Sequence, residues 1–583
     1  MRKPLWAALA AALLLAAGTT SPAQDASSAG AKSPVVTVSF AGYDQFVANL
    51  NVVGKLADRP GLSAMLEGGL ALVTQGKGLA GLDKARPWVV QLFLSNAGEP
   101  SVYGFVPVSD LKELMALVPD PATNKPRAPD AEGVFEVETP QKNAYIAQKD
   151  KWAVIADSRE ALKSAPADPV AAAGDMTKKY LLAVKASVKN VPAEFRDQQI
   201  AQAKALIDMF GGRRGNETDE QFALRSLGVK QLFDQLTTLA KELDEILIGW
   251  AIDNSGGGTY LDIEVTAKPG TKTAQEFATM KEAKTNFAGF LLPGAAVTAV
   301  SSGTISDADA AQVKGYLETM RKTATKDIAD NADLTDQQRK LAQQLIADAM
   351  DVLQKTIDAK KSDGGMAVVL EPGAPAIVVG AAVAETAKLE KVLKQLAAEA
   401  KKEQPALGDL IKLDADSQSG VKLHMATVPI PDPNAAPIIG DSVQIVVGIG
   451  EDSVYIGAGK KAMDTLKKVI EKSKAEAGKS VPPVQVTVAG LPIAKFVAAV
   501  APDEDAKQMA QQAAAVMEQS AGKDHVVLTA KPISNGVSLR LSVEEGLLKT
   551  IGKMAPGADG GKAKPRAKST APAKKADDDP FGS

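Results

Sequence analysis

Hydrophobic and polar positions along this chain change their spacing in an order that recurs four times. In each segment, alternating positions typical of a β-strand come first, and two stretches with the spacing of an amphipathic helix follow. Two more alternating stretches around a turn, and a last helical stretch, complete the segment. The pattern therefore predicts four β-αα-ββ-α units, whose opening strands are expected over residues 35–40, 181–186, 296–302 and 484–489.

Two additional runs of strands interrupt this order, and each of them ends in a helix. The first run covers residues 133–155 and the second covers residues 420–457. Since one run lies inside each pair of units, we predict two tandem halves, 35–290 and 291–554. Each half is expected to contain a largely antiparallel β-sheet packed by helices, which is the α+β class.

Local signals place several turns and helix caps. Two hairpins are expected to turn at 96–98 and 254–258, where Asn, Ser and Gly cluster. Helices are expected to begin at Asp110, Thr273 and Thr335, because each of these residues has Glu or Gln three positions later.

A strongly amphipathic pattern predicts a helix over 335–360. Its apolar stripe consists of Leu341, Leu345, Met350, Val352, Leu353 and Ile357. We interpret the stripe as the side that packs on the sheet or on a partner helix. The alternative is an apolar groove for a lipid or a peptide.

The N-terminal residues have the composition of an export signal. Two basic residues precede an uncharged apolar run over 5–17, and Ser21-Pro22-Ala23 places small residues before a cleavage site. Residues 1–23 are therefore predicted to be a signal peptide. A retained membrane anchor is the alternative, although the run is shorter than the roughly 20 residues that span a bilayer.

Two further segments are expected to lie outside the folded halves. Residues 24–34, rich in Ala, Ser and Gly, are predicted to be a linker. Residues 555–583, rich in Lys, Ala and Pro, are predicted to be a disordered tail, because they cannot bury enough apolar surface to fold. The alternative is that the basic part of this tail tethers the protein to an anionic envelope polymer.

The composition changes this picture mainly by exclusion. The 583 residues include no Cys, which excludes thiol nucleophiles, disulfides, iron–sulfur clusters and Cys-ligated zinc. The 67 Lys and Arg and the 70 Asp and Glu give a net charge of −3, and losing two basic residues with the signal peptide leaves about −5. Because nucleic-acid binding needs a concentrated basic surface, nucleic acid is not an expected partner. The mature protein is predicted to be periplasmic or extracellular, with no transmembrane segment.

The sequence contains few residues suited to catalysis. Its two histidines, His424 and His525, lie in predicted strands, and no Gly-x-Ser-x-Gly nucleophile motif accompanies them. Each is interpreted as a strand histidine with satisfied hydrogen bonds, and two histidines without Cys disfavour a zinc site. The segment Gly448-Ile449-Gly450 precedes a strand instead of the helix that a dinucleotide loop needs, so it predicts a β-turn.

Three further groups leave alternatives open. One acidic cluster lacks the glycine and the closing glutamate of a calcium loop, and is interpreted as helix capping; it comprises Asp327, Asp330, Asn331, Asp333 and Asp336. Four aromatic residues alternate on one hairpin and predict a core face, with a binding patch as the alternative; these are Trp88, Phe93, Tyr103 and Phe105. Paired carboxylates for glycoside hydrolysis need a defined separation, which a sequence does not show. No catalytic, cofactor-binding or metal-ligating residue is assigned.

Several motifs resemble exported proteins of unknown function from planctomycete-type bacteria. The motifs lie at residues 81–88, 103–108, 183–192, 249–253 and 577–582. The resemblance covers mainly the first half of the chain. It implies an exported family and carries no activity or site residue.

These observations predict a non-enzymatic scaffold or binding protein of the bacterial cell envelope. Its partner is expected to be an unknown envelope component or protein, and no cofactor is expected. Two alternatives stay open. One is a carboxylate-dependent hydrolase of envelope or external polysaccharide, and the other is a carrier of lipid or another apolar ligand.

Overall fold

One large β-sheet organises the structure. The structure is a computed structural model that describes residues 33–56, 59–74, 76–117, 127–138, 143–215, 217–253, 257–332, 334–403, 405–408 and 410–554. The predicted signal peptide, the predicted tail and most of the predicted linker lie outside these residues. So do Asp333 and residues 254–256 of the second predicted turn.

The chain up to residue 179 places a strand, two helices and a hairpin before three short strands and several short helices. Its elements are β1 (Val36–Phe40), α1 (Tyr43–Leu56), α2 (Leu62–Val73), β2 (Trp88–Leu94), β3 (Pro100–Pro107), α3 (Leu111–Met115), β4 (Phe135–Val137), β5 (Ala144–Lys149), β6 (Trp152–Ala156), α4 (Arg159–Ser164), α5 (Pro169–Ala173) and α6 (Met176–Lys179). A strand, two long helices, a hairpin and a helix follow. These are β7 (Leu182–Ser187), α7 (Ala193–Phe210), α8 (Asp219–Glu242), β8 (Leu243–Asp253), β9 (Gly258–Ala267) and α9 (Lys272–Thr279).

The rest of the chain opens with a short strand and a 3-10 turn at Ala288–Phe290. The next elements are β10 (Ala283–Thr285), β11 (Val297–Thr304), α10 (Asp307–Asp330), α11 (Asp336–Asp358), β12 (Lys361–Val369), β13 (Ala376–Ala382), α12 (Thr386–Glu403), α13 (Pro405–Gly408), β14 (Ile411–Gln418), β15 (Val421–Pro429), α14 (Ala436–Ile439), β16 (Ser442–Ile449), β17 (Ser453–Gly459) and α15 (Ala462–Ala475). The last are β18 (Lys479–Val481), β19 (Val484–Ala489), α16 (Gly490–Val500), α17 (Glu504–Glu518), β20 (His525–Ile533), β21 (Gly536–Val543) and α18 (Glu545–Met554).

Nineteen of the described strands belong to this sheet, and all of their pairings are antiparallel. The pairings give the order β4-β5-β6-β3-β2-β1-β7-β8-β9-β21-β20-β19-β11-β12-β13-β17-β16-β15-β14. The pairing of β9 with β21 joins strands from the first part of the chain to strands from the last part. The strands β10 and β18 pair separately with each other.

Most of the core lies on one face of the sheet, which we call the core face. Near one end of the sheet, Val89 and Phe105 pack with Leu162 of α4. Near the other end, Val378 and Val446 pack with a larger cluster from α15 and the 3-10 turn, which includes Leu466, Val469, Phe287 and Phe290. These side chains remove apolar surface from water and supply the main stabilisation of the sheet.

The two outer strands are poor templates for another strand. The strand β4 has three residues, and six of the eight residues of β14 are exposed. In β14 the register shifts between Lys412 and Asp416, and Asp414 between them has a φ of 50°. Short length, charge and an irregular register are features that block edge-to-edge pairing of sheets.

The large antiparallel sheet with its helices is the α+β class that the pattern predicts. The caps at Asp110 and Thr335 are confirmed: Asp110 accepts from two backbone N–H groups, and Thr335 forms a full capping box with Gln338. The cap predicted at Thr273 is wrong. The helix starts after Thr271, whose hydroxyl accepts from the backbone of Ala274, while Thr273 donates to Glu242.

Candidate functional site: an open apolar sheet face

Thirteen neighbouring strands carry one continuous row of apolar side chains on the face opposite the core face, which we call the open face. Each member is the direct cross-strand partner of the next, so all the side chains point to the same side. At about 4.8 Å between strands, the row is about 58 Å long. Its members in order are Trp88, Phe40, Leu182, Trp250, Leu261, Leu541, Leu528, Val486, Ala299, Met366, Val379, Ile456 and Val447.

None of these thirteen side chains is buried: five are exposed and eight are half-buried. The contrast with the core face is clear in β13, where Val379 is 37% exposed and its neighbour Val378 is 0% exposed. Ile456, the direct partner of Val379 on β17, is 48% exposed. Soluble proteins seldom leave a continuous apolar surface of this extent in contact with water unless it binds something. The open face is therefore the candidate functional surface.

Apolar side chains also flank this row on both sides. One flanking row contains Val90, Val38, Val184, Ile248, Ile263 and Leu539. It ends at Ala530, which is buried in a cluster with residues of α8 and α9. The other contains Ile445, Ala458, Ile377, Val368, Val297, Val488, Val526 and Val543. The surface is therefore several side chains wide, and it is almost entirely aliphatic.

Of the two indole N–H groups in the row, that of Trp250 is hydrogen-bonded, whereas that of Trp88 is buried with no hydrogen-bond partner among the described residues. The indole N–H of Trp250 donates to the Thr259 hydroxyl at 2.6 Å, and that hydroxyl donates to the carbonyl of Ala251 at 2.8 Å. A ligand above this point therefore meets carbon atoms in preference to hydrogen-bonding groups. Such a surface selects for apolar chemistry.

Helices contact parts of the open face, including one end of the row. Phe46 of α1 contacts Phe40 with ring centroids 5.4 Å apart. Toward one end of β8, β9 and β21, Phe277 of α9 and Leu239 of α8 pack on Val265. The apolar stripe predicted on 335–360 is only partly buried. Leu345, Val352 and Ile357 of α11 are buried, whereas Leu353 is 44% exposed.

The core face is polar where β9 meets β21, and an ion pair lies there. Arg540 donates through Nε and Nη2 to Asp262 at 2.7 and 2.9 Å, and the Tyr180 hydroxyl donates to the same carboxylate at 2.9 Å. The guanidinium also lies 4.0 Å from the ring centroid of Tyr260. Burial on its own raises the pKa of Asp262, but the hydrogen bonds from Arg540 and Tyr180 outweigh it and hold that pKa below its usual value. This fully paired group serves to join the strands.

One group among the described residues has spacing suited to a metal ion: Glu390, Asp414 and His424. Two ammonium groups already occupy the Glu390 carboxylate, from Lys394 at 2.7 Å and from Lys422 at 3.0 Å. His424 Nδ1 accepts from the backbone N–H of Asp414 at 3.0 Å, so the neutral ring carries its proton on Nε2. That N–H is buried and has no hydrogen-bond partner among the described residues, so the prediction that all hydrogen bonds of His424 are satisfied is wrong. Burial lowers the pKa of His424 and keeps the ring neutral. The group fits an ion-pair network better than a metal centre.

The other residues that the sequence singles out are dispersed. His525 Nδ1 lies 2.9 Å from a Glu544 oxygen, which agrees with a satisfied strand histidine. The backbone N–H of Gly450 donates to Ser453 in the predicted β-turn. Three of the four hairpin aromatics lie in the core with rings in contact, namely Phe93, Tyr103 and Phe105, whereas Trp88 lies on the open face. In the acidic group, the described Asp336 pairs with Arg339 at 2.8 Å.

The pKa values of the described carboxylates bear on the hydrolase alternative. Most shifted carboxylates have lowered pKa values, because a Lys or Arg donates a hydrogen bond to them; examples are Glu217 and Asp351. Burial raises the pKa of Glu276, Lys272 at 3.7 Å opposes this change, and the neighbouring Asp309 and Glu242 carboxylates add to it. Glycoside hydrolysis needs a protonated and an ionised carboxylate facing one substrate. That function stays a prediction.

The helices of the described residues are either too short or too polar to cross a bilayer. Comparison with known proteins adds no relative from which a function follows. No family model, no curated protein and no solved structure matches this chain.

Proposed function

We propose that this protein is an exported, non-enzymatic binding protein whose open face holds hydrocarbon ligands, with lipid acyl chains as the ligand class. The observation that carries the proposal is the row of thirteen apolar side chains, none of which is buried. Covering such side chains releases about 25 cal/mol for each Å² of apolar surface removed from water. This gain favours any apolar molecule that fits the surface.

The chemistry of the open face favours acyl chains over peptides and sugars. A peptide strand would need a free sheet edge, and both edges are blunted by length, charge or register. A sugar needs hydrogen-bonding groups and aromatic platforms, and aromatic residues make up only 4% of the chain. A row of about 58 Å is several times the roughly 15 Å that one leaflet of hydrocarbon occupies. The surface therefore has room for more than one chain.

The strand order supports an internal duplication, which we also propose. Outward from the β9–β21 junction, each side places a hairpin, two adjacent opening strands, a second hairpin and an inserted run of strands in turn. The predicted halves 35–290 and 291–554, each with two β-αα-ββ-α units, account for this order. Duplication doubles the length of the open face, which explains how a surface suited to several acyl chains arises.

Tryptophan fluorescence tests the proposed ligand class. Trp250 lies in the open row, whereas Trp152 is 8% exposed and packs in the core with Phe105. We expect a brominated fatty acid to quench the emission of the chain lacking residues 1–23. Because Trp88 also lies in the row, the double substitution Trp88→Phe/Trp250→Phe should remove most of the quenching, and Trp152→Phe should preserve it. No quenching in the unmodified chain, or equal quenching in the two variants, would contradict the proposal.

A charge in the row should weaken binding. Because an ammonium group among alkyl chains is poorly solvated, we expect Ile456→Lys to lower the affinity for the fatty acid at least about tenfold. Met509→Lys is the matched control, since Met509 on α17 is 51% exposed and lies outside the row. Its affinity should equal that of the unmodified chain. An equal loss in both variants would argue against binding at the open face.

A further inference from the structure

The tip of the α7–α8 hairpin carries an apolar stripe that no part of the described chain covers. Leu206, Met209 and Phe210 are 54%, 70% and 78% exposed. Their spacing of three and four residues places them on one side of α7. None of the residues of α7 is buried, so the helix projects from the body of the protein.

The base of the same helix is fixed to the protein. The ring of Phe195 lies so close to Gly98 that a Cβ there would stand 2.1 Å from it. Phe210 is fifteen residues farther along, which is about 22 Å at 1.5 Å per residue. The stripe is therefore held at the end of an anchored helical arm.

Basic residues follow the stripe directly. Arg213 and Arg214 come after two glycines, and Arg213 pairs with Asp219 at 2.8 Å. Arg225 donates two hydrogen bonds to the Glu217 carboxylate, and these hydrogen bonds lower the pKa of Glu217 to about 2. Arg214 is exposed, its backbone N–H donates to Glu217 at 3.2 Å, and its charge also helps to lower the pKa of Glu217. The tip thus combines apolar side chains with an exposed cation.

From this arrangement we propose that the α7–α8 tip docks on a lipid surface, with the three apolar side chains among the acyl chains and Arg214 on an anionic phosphate. Apolar residues beside Lys or Arg are the usual means of binding at a membrane interface. A second copy of the chain is a poorer occupant. Three partly exposed side chains offer about 400 Å² at most, and a stable dimer buries about 800 Å² on each partner.

Vesicle co-sedimentation tests this proposal on the chain lacking residues 1–23. We expect the chain to bind vesicles of phosphatidylglycerol and phosphatidylcholine in equal parts. The double substitution Met209→Ser/Phe210→Ser should lower the partition coefficient at least about tenfold, because it removes the inserting side chains. The control Met65→Ser/Leu72→Ser changes residues of α2 that are 75% and 83% exposed, and it should bind like the unmodified chain.

Further measurements separate lipid docking from the other outcomes. Arg214→Gln should weaken binding to the anionic vesicles and leave binding to pure phosphatidylcholine unchanged. Phe210→Trp should give a probe that brominated lipids quench. Equal binding by the two double variants would overturn the proposal. So would a tip variant that changes only self-association in sedimentation velocity, because the tip would then be an interface between copies. Fatty-acid quenching of Trp250 does not depend on the tip, so this proposal and the proposed function can fail separately.

Discussion

Replacing Arg540 by leucine is expected to lower the free energy of unfolding by about 2–3 kcal/mol. Asp262 is 1% exposed, and the substitution removes the two hydrogen bonds that Arg540 donates to it. Breaking a buried pair from one side usually costs about 3–5 kcal/mol. The cost is smaller here because the Arg540 side chain is 43% exposed, so water screens its charge. The Tyr180 hydroxyl also still donates to Asp262, and Lys179 Nζ lies 3.5 Å from it. Urea unfolding followed by circular dichroism measures the change.

Two further variants make this prediction specific to the pair. Lys179→Met removes an ion pair with Glu264 at 2.8 Å and a longer one with Asp262 at 3.5 Å. Because the lysine is 43% exposed and Arg540 still donates two hydrogen bonds to Asp262, the substitution should cost no more than about 1 kcal/mol. The double variant Asp262→Leu/Arg540→Leu replaces both charges and should recover most of the lost stability. Hydrogen exchange in β9 and β21 should rise in Arg540→Leu more than elsewhere. An unfolding midpoint equal to that of Lys179→Met would contradict the prediction.

The pH dependence of the same variant follows from the sign of the pKa change. The folded protein holds the pKa of Asp262 below its usual value, so the carboxylate binds its proton less readily in the folded chain than in the unfolded chain. Its contribution is therefore complete above the unfolded pKa of about 3.9, and it is lost as the pH falls through the lower folded value. The stability difference between Arg540→Leu and the unmodified chain should be constant from pH 7 to about pH 5 and shrink below about pH 4.

Local structure was predictable where one short segment decides it. Thr335 and Gln338 complete a capping box without help from any other part of the chain. At Thr273 the same motif misleads, because Glu242 from α8 occupies the backbone N–H of Thr273 and leaves the cap to Thr271. A tertiary contact thus overrides a local signal. The strand β14 is absent from the predicted elements, although Ile411, Leu413 and Ala415 alternate with charged residues, and the structure places it at the exposed edge of the sheet.

The pattern of apolar and polar residues does not predict that one face of the sheet stays open. Strands such as β13 and β16 have apolar residues at successive positions, and such runs usually indicate burial on both faces. In this structure only one face of the strand is buried. Val378 and Val379 are therefore in opposite environments although both are valines. The cross-strand order that builds the row, including the partners Leu261 and Leu541, joins segments far apart in sequence. Periodicity within one segment carries no information about either property.

The cluster of Glu390, Asp414 and His424 also could not be predicted from the sequence. The sequence drew attention to His424 by its rarity, and two histidines in the chain argued against a metal site. Glu390 lies on α12 and Asp414 on β14, and no motif links them to His424. What decides their chemistry is the presence of Lys394 and Lys422, which only the folded chain brings to the carboxylates.

Adding a side chain at Gly380 is expected to have the largest effect on the core. A Cβ at this position would lie 2.8 Å from both Phe290 and Tyr455, whose rings stack with an angle of 6° between their planes. Gly365, the cross-strand partner of Gly380, is equally close to Phe290. The two glycines leave the space that Phe290 fills. We expect Gly380→Val to lower the free energy of unfolding by about 3 kcal/mol or more, since a packed core cannot absorb the added methyl groups.

A matched valine elsewhere separates overpacking from the effect of valine itself. Gly315 lies in α10 with no atom within 4 Å of its Cβ position, and Gly and Val differ little in helix propensity, so Gly315→Val should change stability by less than about 0.5 kcal/mol. Phe290→Ala removes the opposing ring, and Gly380→Val should then cost less than it does in the unmodified chain. Urea midpoints of the four variants measure this coupling, and near-ultraviolet circular dichroism reports the Tyr455 environment. Costs that simply add would mean that Phe290 and Gly380 do not share this space.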